Sequence, residues 1–441
     1  MDHEHVASLY AAHVTWLAAQ YTEALAKAGF DAVVIHSGTP KKRSSFDDQY
    51  FPLRPTPELQ RWAPLGDEGA FLVFEPGRKA MLTWPENRSF WERPAAPEAT
   101  FFLRELDVRR TDSPELPAGK RLAYVGEDLA VADKLGIPLA HPNPKELLAA
   151  IDATRTRKTD YEVACLAEAN RRAAFGHEAL RRAFESGDKS ELDLHLMYLG
   201  STRQDDQDTP YKNIVAAGRN AAILHHVAYG RDPAKAESLL VDAGATCLGY
   251  CSDITRTWAR PRGAAGATFA GLVEAMEAMQ KRLVARVAVG MPYEELHDAS
   301  HHELSAILVE AGIAKGSPEE IDARGVSRAF YPHGLGHSLG LQTHDVGCAV
   351  TTPRADNPFL RNTSRIEAGQ VFTIEPGLYF IDGLLAALRA KPEAELVDWN
   401  LVESLAPFGG IRIEDDLLVT DHGVRNMTRE VLPIGGAAVR G

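Results

Sequence analysis

Four acidic residues embedded in apolar, strand-like sequence limit most strongly what this 441-residue chain can fold into. They are Asp242 in Leu-Val-Asp-Ala-Gly-Ala, Asp253 in Cys-Ser-Asp-Ile-Thr, Glu375 in Phe-Thr-Ile-Glu-Pro-Gly and Glu414 in Ile-Arg-Ile-Glu-Asp-Asp, and His337 ends a His-Gly-Leu-Gly-His loop. A buried carboxylate is costly unless it is paired or coordinates a metal. Four that converge need about four positive charges, which two divalent cations supply most simply. The pattern therefore predicts a two-metal site.

The composition is that of a soluble globular protein, with 45% hydrophobic and 25% charged residues. The net charge of −13 argues against a general role in binding nucleic acid or anionic membranes. We find no apolar run of the roughly 20 residues that a membrane span requires and no secretory signal. The 4 cysteines are too few for a disulfide scaffold. We therefore expect a cytoplasmic protein with reduced thiols.

The first part of the chain alternates helical and strand-like segments, which is an α/β pattern. A helix is predicted over residues 4–29, and short apolar runs bounded by turn residues predict strands at 31–36, 70–74, 79–84 and 121–126. The stretch 41–48, followed by several prolines, is predicted to be a long loop. A boundary near residue 155 gives an N-terminal domain over 1–155 and a C-terminal domain over 156–441.

The second part is predicted to be an α+β domain with a mostly antiparallel sheet. Apolar residues recur every three or four positions in two segments, which predicts helices over about 269–287 and 293–311. His297 and His301 lie four apart on the second of these, and we interpret them as part of a solvated face. Strands are predicted at 213–217, 238–248, 252–259, 370–379 and 410–419.

The spacing of the five residues favours their convergence. Asp242 and Asp253 lie on two segments joined by a turn around residues 248–250, and an antiparallel hairpin there would bring the carboxylates together. The glycines before His337 permit backbone conformations that suit a loop turning an imidazole inward. On an extended strand, Arg412 and Glu414 point to the same face.

The order Asp, Asp, His, Glu, Glu in these settings resembles the pita-bread metallopeptidases, which include methionine aminopeptidase, aminopeptidase P and prolidase. The finer resemblance is to the bacterial prolidases, or Xaa-Pro dipeptidases, and their relative organophosphorus acid anhydrolase. It rests on the stretches 208–215, 222–225, 330–337, 341–347, 373–381 and 408–415, and on 35–38 and 46–48 near the N-terminus. The resemblance implies a creatinase/prolidase-type N-terminal domain followed by a pita-bread catalytic domain.

The resemblance also implies a role for each of the five residues. Asp253 and Glu414 would bridge two divalent metal ions, Asp242 would hold one of them, and His337 and Glu375 would hold the other. Such metals polarise a water for attack on the scissile carbonyl. The resemblance to this family implies Mn²⁺. A ligand set that is rich in oxygen atoms and has one imidazole could also bind Co²⁺ or Zn²⁺. Glu375 matches the position that shuttles a proton to the leaving nitrogen.

Further residues match positions around the substrate, an Xaa-Pro dipeptide. His344 would contact the scissile carbonyl, and His225 the C-terminal proline. The adjacent His225 and His226 are expected to point to opposite sides of a strand. Arg412 would clamp the substrate carboxylate through a bidentate pair. The other positions that line or adjoin the site are His333, Arg361, Tyr211, Tyr293, Leu360 and Thr343. A surface arginine is the alternative for Arg361, and core packing is the alternative for the last four. Cys348 stands where relatives carry a glycine, which bears on fine selectivity.

The free amine of a dipeptide requires its own partner, and Asp47 or Asp48 on the N-terminal loop is the candidate. In the relatives this loop reaches into the site of the partner subunit, which implies a homodimer.

Three alternatives stay open from the sequence. They are hydrolysis of organophosphate triesters or fluorides as a side activity, an aminopeptidase P-like Xaa-Pro aminopeptidase, and a metal-free binding module. The presence of all five ligand positions argues against the last.

Overall fold

The computed structural model describes residues 3–86, 90–91, 96–233, 235–433 and 438–439. The chain forms two compact units, one made of residues 1–165 with 247–250, the other of 166–246 with 251–441. Among the described residues, every helix is too short or too polar to cross a membrane.

The first unit is an α/β domain around a five-stranded sheet, as the alternating pattern predicts. Its strands are β1 (Ala32–His36), β2 (Phe71–Phe74), β3 (Met81–Trp84), β4 (Asp107–Arg110) and β5 (Leu122–Val125). They lie in the order β4-β3-β2-β1-β5, with β1–β5 and β3–β4 parallel and the other pairs antiparallel. The helices are α1 (His3–Ala28), α2 (Pro57–Trp62), α3 (Phe102–Glu105), α4 (Leu129–Lys134) and α5 (Lys145–Arg155).

A buried ion pair lies in this unit. Arg61 Nε donates to Glu162 Oε1 at 3.0 Å, and neither side chain is more than 2% exposed. The same carboxylate accepts hydrogen bonds from the Tyr250 hydroxyl at 3.0 Å and from the Thr159 amide at 2.8 Å. Because every charge here has a partner, the pair is a self-contained structural element.

The second unit contains most of the helices. Helix α6 (Asp160–Ser186) begins in the first unit and continues into the second. The others are α7 (Glu191–Thr202), α8 (Gly263–Arg286), α9 (Tyr293–Glu310), α10 (Pro318–Ala323), α11 (Ser327–Phe330), α12 (Asp382–Arg389), α13 (Trp399–Leu405) and α14 (Met427–Val431), with 3-10 turns at Gly218–Ala222, Pro392–Leu396 and Ala406–Phe408. The apolar face predicted for α8 is buried in the main core of this unit.

The remaining strands belong to the second unit, apart from Cys247 of β8 and Tyr250 of β9. They are β6 (Ile214–Ala217), β7 (Ser238–Asp242), β8 (Thr246–Cys247), β9 (Tyr250–Cys251), β10 (Thr255–Ala259), β11 (Val371–Ile374), β12 (Gly377–Tyr379), β13 (Gly410–Arg412), β14 (Asp415–Thr420) and β15 (Gly423–Asn426). They form the sheets β10-β7-β6, β11-β14-β15, β12-β13 and β8-β9. The pairs within the two three-stranded sheets and in β12-β13 are antiparallel, which confirms the predicted α+β class.

The turn predicted around residues 248–250 forms the end of a hairpin. Leu248 and Gly249 both have positive φ, 51° and 89°, as the two central residues of a type I′ turn require. Gly244 lies so close to the returning strand that a Cβ there would be 1.9 Å from the Ser252 carbonyl oxygen. The small residues after Asp242 therefore allow the two arms of the hairpin to approach.

Two expectations about histidines are wrong. His297 and His301 are buried among Tyr331 and each other instead of forming a solvated face, with the two imidazole ring centroids 4.8 Å apart. His225 and His226 do not lie on a strand but in a turn that follows the 3-10 segment Gly218–Ala222. His226 is nevertheless buried and His225 exposed, so the two side chains do separate.

Candidate active site

Three of the predicted ligands form a compact buried cluster. One ligand atom each of Asp253, His337 and Glu414 lies within 4.8 Å of the other two. His337 Nε2 is 3.3 Å from Asp253 Oδ2 and 4.0 Å from Glu414 Oε1. Glu375 Oε1 joins the group at 3.6 Å from the same imidazole nitrogen. The separate sequence segments therefore do converge.

Asp242 reaches the cluster through two neighbours. The Tyr211 hydroxyl lies 2.7 Å from Asp242 Oδ1 and 2.5 Å from Asp253 Oδ1, so it links the two aspartates. Arg412 Nη2 donates to the other oxygen of Asp242 at 2.6 Å. The five residues expected from the sequence, together with Arg412 and Tyr211, thus lie in one place.

Strand pairing explains how the carboxylates meet. Thr255 pairs with Asp242 in the β7–β10 register and forms an isolated bridge with Glu414 in the gap between β13 and β14. Its hydroxyl donates to Glu414 Oε2 at 2.6 Å and lies 3.2 Å from Arg412 Nε. One threonine therefore fixes both Glu414 and Arg412 on the face that the sequence predicts.

The glycine-rich loop positions His337 against strand β11. The Thr373 amide donates to the His337 carbonyl at 2.9 Å, and the Glu375 amide donates to the Leu335 carbonyl at 2.8 Å. A Cβ on Gly336 would lie 2.1 Å from the Thr373 carbonyl oxygen. Only glycine allows this close approach, so the loop sequence is dictated by how the imidazole is held against the strand.

Burial and mutual repulsion act on these carboxyl groups. Burial, together with neighbouring Asp242, raises the pKa of Asp253 well above its usual range, and burial beside Asp253 does the same to the pKa of Glu414. Burial raises the pKa of Glu375 to about 7, against the opposing effect of His337. Without a counter-charge, the folded chain therefore disfavours the ionised forms of these groups.

The donor set fits a divalent cation. Among the described residues, the ion pairs of these four carboxylates involve Arg412, His333 and His337. Glu414 Oε1 is buried and receives no hydrogen bond from any described residue. Buried carboxylate oxygens beside one imidazole are the ligands that Mn²⁺, Co²⁺ and Zn²⁺ accept. The arrangement is therefore that of a metal centre.

A hydrogen-bonded group of His333, Tyr379 and Arg412 adjoins the cluster. Arg412 Nη1 donates to the Tyr379 hydroxyl at 2.8 Å, and His333 Nε2 lies 2.7 Å from the same oxygen. His333 Nδ1 lies 2.8 Å from the Gly334 carbonyl, so both imidazole nitrogens have partners. Burial beside Arg412 lowers the pKa of His333 to about 3. This histidine is therefore held neutral and fixed in direction.

His344 packs edge-on against His337, with ring centroids 4.4 Å apart. Partial burial lowers the pKa of His344, and the charges of His337, Arg361 and His225 contribute in the same direction. Arg361 and His225 are both exposed. The histidines and the arginine expected around the substrate are thus close enough to influence one another electrostatically.

The remaining residues predicted from the sequence are in part buried and in part exposed. The Tyr293 hydroxyl donates to the Thr373 carbonyl at 2.8 Å and so braces β11 from a fully buried position. Leu360 and Cys348 are buried, and Thr343 is partly buried. Asp47 and Asp48 lie on an exposed loop of the first unit, where both contact Gln49.

Sequence reasoning missed the residues that hold the ligands in place. Thr255 and Tyr379 lie within the quoted motifs, two positions after Asp253 and four after Glu375. A threonine or a tyrosine at such a position does not by itself indicate that it supports a metal ligand. Asp416 accepts the backbone amide of Asp253 at 3.0 Å and the Asn170 side-chain amide at 2.8 Å on one oxygen. No spacing in the sequence connects a residue of α6 with strand β14.

Comparisons with known proteins agree with this geometry. The family described as Metallopeptidase family M24 matches residues 164–421, and the one described as Xaa-Pro dipeptidase, N-terminal domain matches residues 8–152. The chain therefore belongs to metallopeptidase family M24. Family membership and the cluster of Asp253, His337 and Glu414 together support the binding of divalent metal ions.

Within that family, the similarity to Xaa-Pro dipeptidases extends over nearly the whole chain. The Xaa-Pro dipeptidase of Pseudoalteromonas atlantica is 39% identical over 443 residues, which cover 97% of this chain and 99% of that protein. That of Marinobacter nauticus is 40% identical over 436 residues, with 98% and 100% covered.

Solved structures confirm the two-domain fold. Aminopeptidase P from E. coli with the inhibitor Pro-Leu superposes with a TM-score of 0.72 at 22% identity, covering 95% of this chain and 97% of that one. Proline aminopeptidase P II from Yersinia pestis gives a TM-score of 0.69 at 23% identity, with 95% and 98% covered. At this level of identity the likeness shows the fold alone.

Proposed function

We propose that this protein is an Xaa-Pro dipeptidase that hydrolyses the peptide bond before proline. It uses two divalent metal ions, and Mn²⁺ is the preferred metal. The observation that carries the proposal is the set of four converging carboxylates, three of them buried and Glu375 partly buried, whose charge the protein's own cations do not balance. Its similarity to relatives named Xaa-Pro dipeptidase over nearly the whole chain selects the substrate class.

The assigned ligands are those expected from the sequence: Asp242, Asp253, His337, Glu375 and Glu414. Asp253 and Glu414 would be the pair shared between the ions, as the family resemblance implies, and their closeness to each other and to His337 supports this assignment. When bound, divalent cations lower the pKa of a coordinated water and polarise the scissile carbonyl. Co²⁺ and Zn²⁺ fit the same donor set.

Glu375 is assigned the proton transfer between the attacking water and the leaving nitrogen. Its side chain is 15% exposed, compared with 6% for Asp253 and 2% for Glu414. Of these three carboxylates, Glu375 is therefore the most accessible to water and substrate. His344, exposed on one side beside His337, is assigned to the oxyanion that develops on the scissile carbonyl.

We assign the binding of the substrate carboxylate to arginine and histidine side chains around the cluster. Arg412 presents a guanidinium already fixed by Asp242, Tyr379 and Thr255, which favours directional contact with a carboxylate. Arg361 and His225 lie around His344 and supply further contacts with the proline end. His333 orients Tyr379, and Tyr211 lines the metal side.

Recognition of the free amine is assigned to Asp47 or Asp48, supplied across a homodimer. The exposed loop that carries them also presents Phe46, which is 99% exposed. A large aromatic side chain so exposed favours contact with a partner. The homodimer and a cytoplasmic location are parts of the proposal.

A substrate panel tests the proposal. Metal-stripped protein is assayed with and without added Mn²⁺ on Ala-Pro, Leu-Pro, the tripeptide Ala-Pro-Ala and a dialkyl fluorophosphate. We expect rapid cleavage of both dipeptides that depends on the metal, and at most slow turnover of the other two.

Each other outcome indicates a different function. Efficient release of alanine from the tripeptide would indicate an aminopeptidase P, and preference for the fluorophosphate an anhydrolase. Dipeptide cleavage that persists after complete metal removal would contradict the metal mechanism.

A further inference from the structure

Glu191, the first residue of α7, holds a buried carboxylate that plays no part in the metal cluster. It is 2% exposed. Oε1 accepts from the Ala217 amide and the Asn220 side-chain amide, both at 2.8 Å. Oε2 accepts from the Gly230 amide at 2.7 Å and lies 2.9 Å from His226 Nε2. A carboxylate accepts about four hydrogen bonds, so this one is saturated.

All four donors belong to one segment, residues 217–230, which we call the His225 loop. Its first residue, Ala217, ends β6, and beyond the 3-10 turn Gly218–Ala222 the rest of this loop has no helix or strand. A further tie joins the same elements, because the Leu192 amide donates to the Gly230 carbonyl at 3.1 Å. One side chain thus fixes the loop at its start, in its middle and at its end.

The contact with His226 sets the direction of its neighbour. His226 is turned inward onto Glu191, while the adjacent His225 is exposed. His225 lies near enough to His344 to act on it electrostatically. Holding one imidazole of the His-His pair inward therefore keeps the other, His225, on the exposed side of the loop.

We propose that Glu191 is a positioning residue that clamps the His225 loop, so that His225 is presented to the proline end of the substrate. The inference rests on the proposed function, which assigns His225 to that contact. Among the described residues, the hydrogen-bond partners of the Glu191 carboxylate include none of the five assigned metal ligands. Its effect is confined to how well His225 is oriented, and hence to substrate affinity.

Glu191→Gln is the sharpest substitution. It keeps the volume of the side chain but replaces one carboxylate oxygen by an NH₂ group. Turned one way, that NH₂ group faces the donors of Ala217 and Asn220; turned the other way, it faces the Gly230 amide and His226, whose imidazole can accept by a change of tautomer. The loop then loses at least one of its four hydrogen bonds without the creation of a cavity. Glu303→Gln is the matched control, since Glu303 is also buried and ion-paired, but with Arg282 and Arg286 on α8.

The experiment measures KM and kcat on Ala-Pro for the wild type, Glu191→Gln, His225→Ala, the double variant and Glu303→Gln, all at equal metal content. We expect Glu191→Gln to raise KM about tenfold with kcat nearly unchanged, because binding is lost equally in the ground and transition states. The double variant should be no worse than His225→Ala, because the clamp acts through that residue. Glu303→Gln should leave both constants unchanged.

Amide hydrogen exchange of the His225 loop provides a readout that does not need activity. Residues 217–230 should exchange faster in Glu191→Gln than in the wild type, and at an unchanged rate in Glu303→Gln. Unchanged exchange in Glu191→Gln would overturn the clamp even if the wild type proved inactive on dipeptides.

The kinetic outcomes separate the two proposals. An active wild type whose KM rises in His225→Ala but not in Glu191→Gln overturns the inference and leaves the proposed function standing. A KM that rises by the same factor when Glu191→Gln is added to His225→Ala also overturns it. A wild type that cleaves no Xaa-Pro dipeptide defeats the proposed function itself.

Discussion

Two buried glutamates, one in each unit, have opposite electrostatic environments. Glu162 is 2% exposed and receives hydrogen bonds from Arg61, Tyr250 and Thr159. Although burial opposes it, Arg61 lowers the pKa of Glu162 to about 2. Glu414 is 1% exposed, has one hydrogen bond from Thr255, and its pKa is raised well above the usual range by burial and by Asp253.

The difference separates structural from functional burial of charge. Where the chain supplies an arginine, the buried carboxylate is a structural part of the fold and needs nothing more. Where it gathers further carboxylates instead, the missing positive charge must come from outside, and a divalent cation supplies it. The comparison therefore indicates a metal centre before any relative is considered.

The largest effect is expected from a substitution in the carboxylate cluster. Glu414→Gln removes a proposed bridging ligand, so kcat/KM on Ala-Pro should fall more than about a thousandfold, because metal-ion catalysis is worth several kcal/mol. In chelator, the melting temperature of the variant should instead be higher than that of the wild type. The metal-free wild type must either bury an ionised carboxylate or protonate it, and the neutral amide of the variant avoids both costs. Full activity in the variant would contradict the ligand assignment.

Breaking the structural pair should affect stability without touching the chemistry. Arg61→Met leaves Glu162 buried and unpaired, which costs about 3–5 kcal/mol of unfolding free energy. Urea unfolding followed by tryptophan fluorescence measures this loss. The double replacement of Arg61→Met and Glu162→Leu is the control and should recover much of it. A single variant as stable as the wild type would show that the pair does not stabilise the fold.

The same glutamate gives a pH dependence of defined sign. The pKa of Glu162 falls from its ordinary 4.5 to about 2 in the folded chain. Its contribution is therefore complete above pH 4.5 and is lost as the pH falls toward 2, by about 3 kcal/mol. Unfolding free energies measured between pH 6 and pH 3 should fall less steeply in Glu162→Gln. If the unfolding free energy fell equally steeply with pH in both proteins, the result would contradict the lowered pKa of Glu162.

The smallest effect concerns the residue that holds Glu414. Thr255→Val keeps the side-chain shape but removes the hydrogen bond to Glu414 Oε2. Metal affinity measured by calorimetry should weaken by about tenfold, as for other residues that orient metal ligands. Thr257→Val, whose lost hydroxyl bonds only to the Arg412 backbone, is the matched control and should retain wild-type affinity.

The sequence predicts the fold class and the convergence of the five ligands because both follow from local patterns. Alternating apolar runs indicate the strands, and the turn at Leu248 and Gly249 brings Asp242 to Asp253. The burial of His297 and His301 could not be predicted, since helical spacing does not reveal what packs on a face. The contact of Glu191 with the His225 loop also depends on tertiary packing, which no spacing records.

Metal titration of the chelator-stripped chain tests the central claim most directly. Calorimetry with Mn²⁺ on the wild type and on Glu414→Gln compares the unbalanced cluster with one that has lost a carboxylate. The account predicts two bound ions per chain in the wild type, accompanied by a higher melting temperature, and a loss of tight binding in the variant. Wild-type protein that binds no Mn²⁺, Co²⁺ or Zn²⁺ would contradict it.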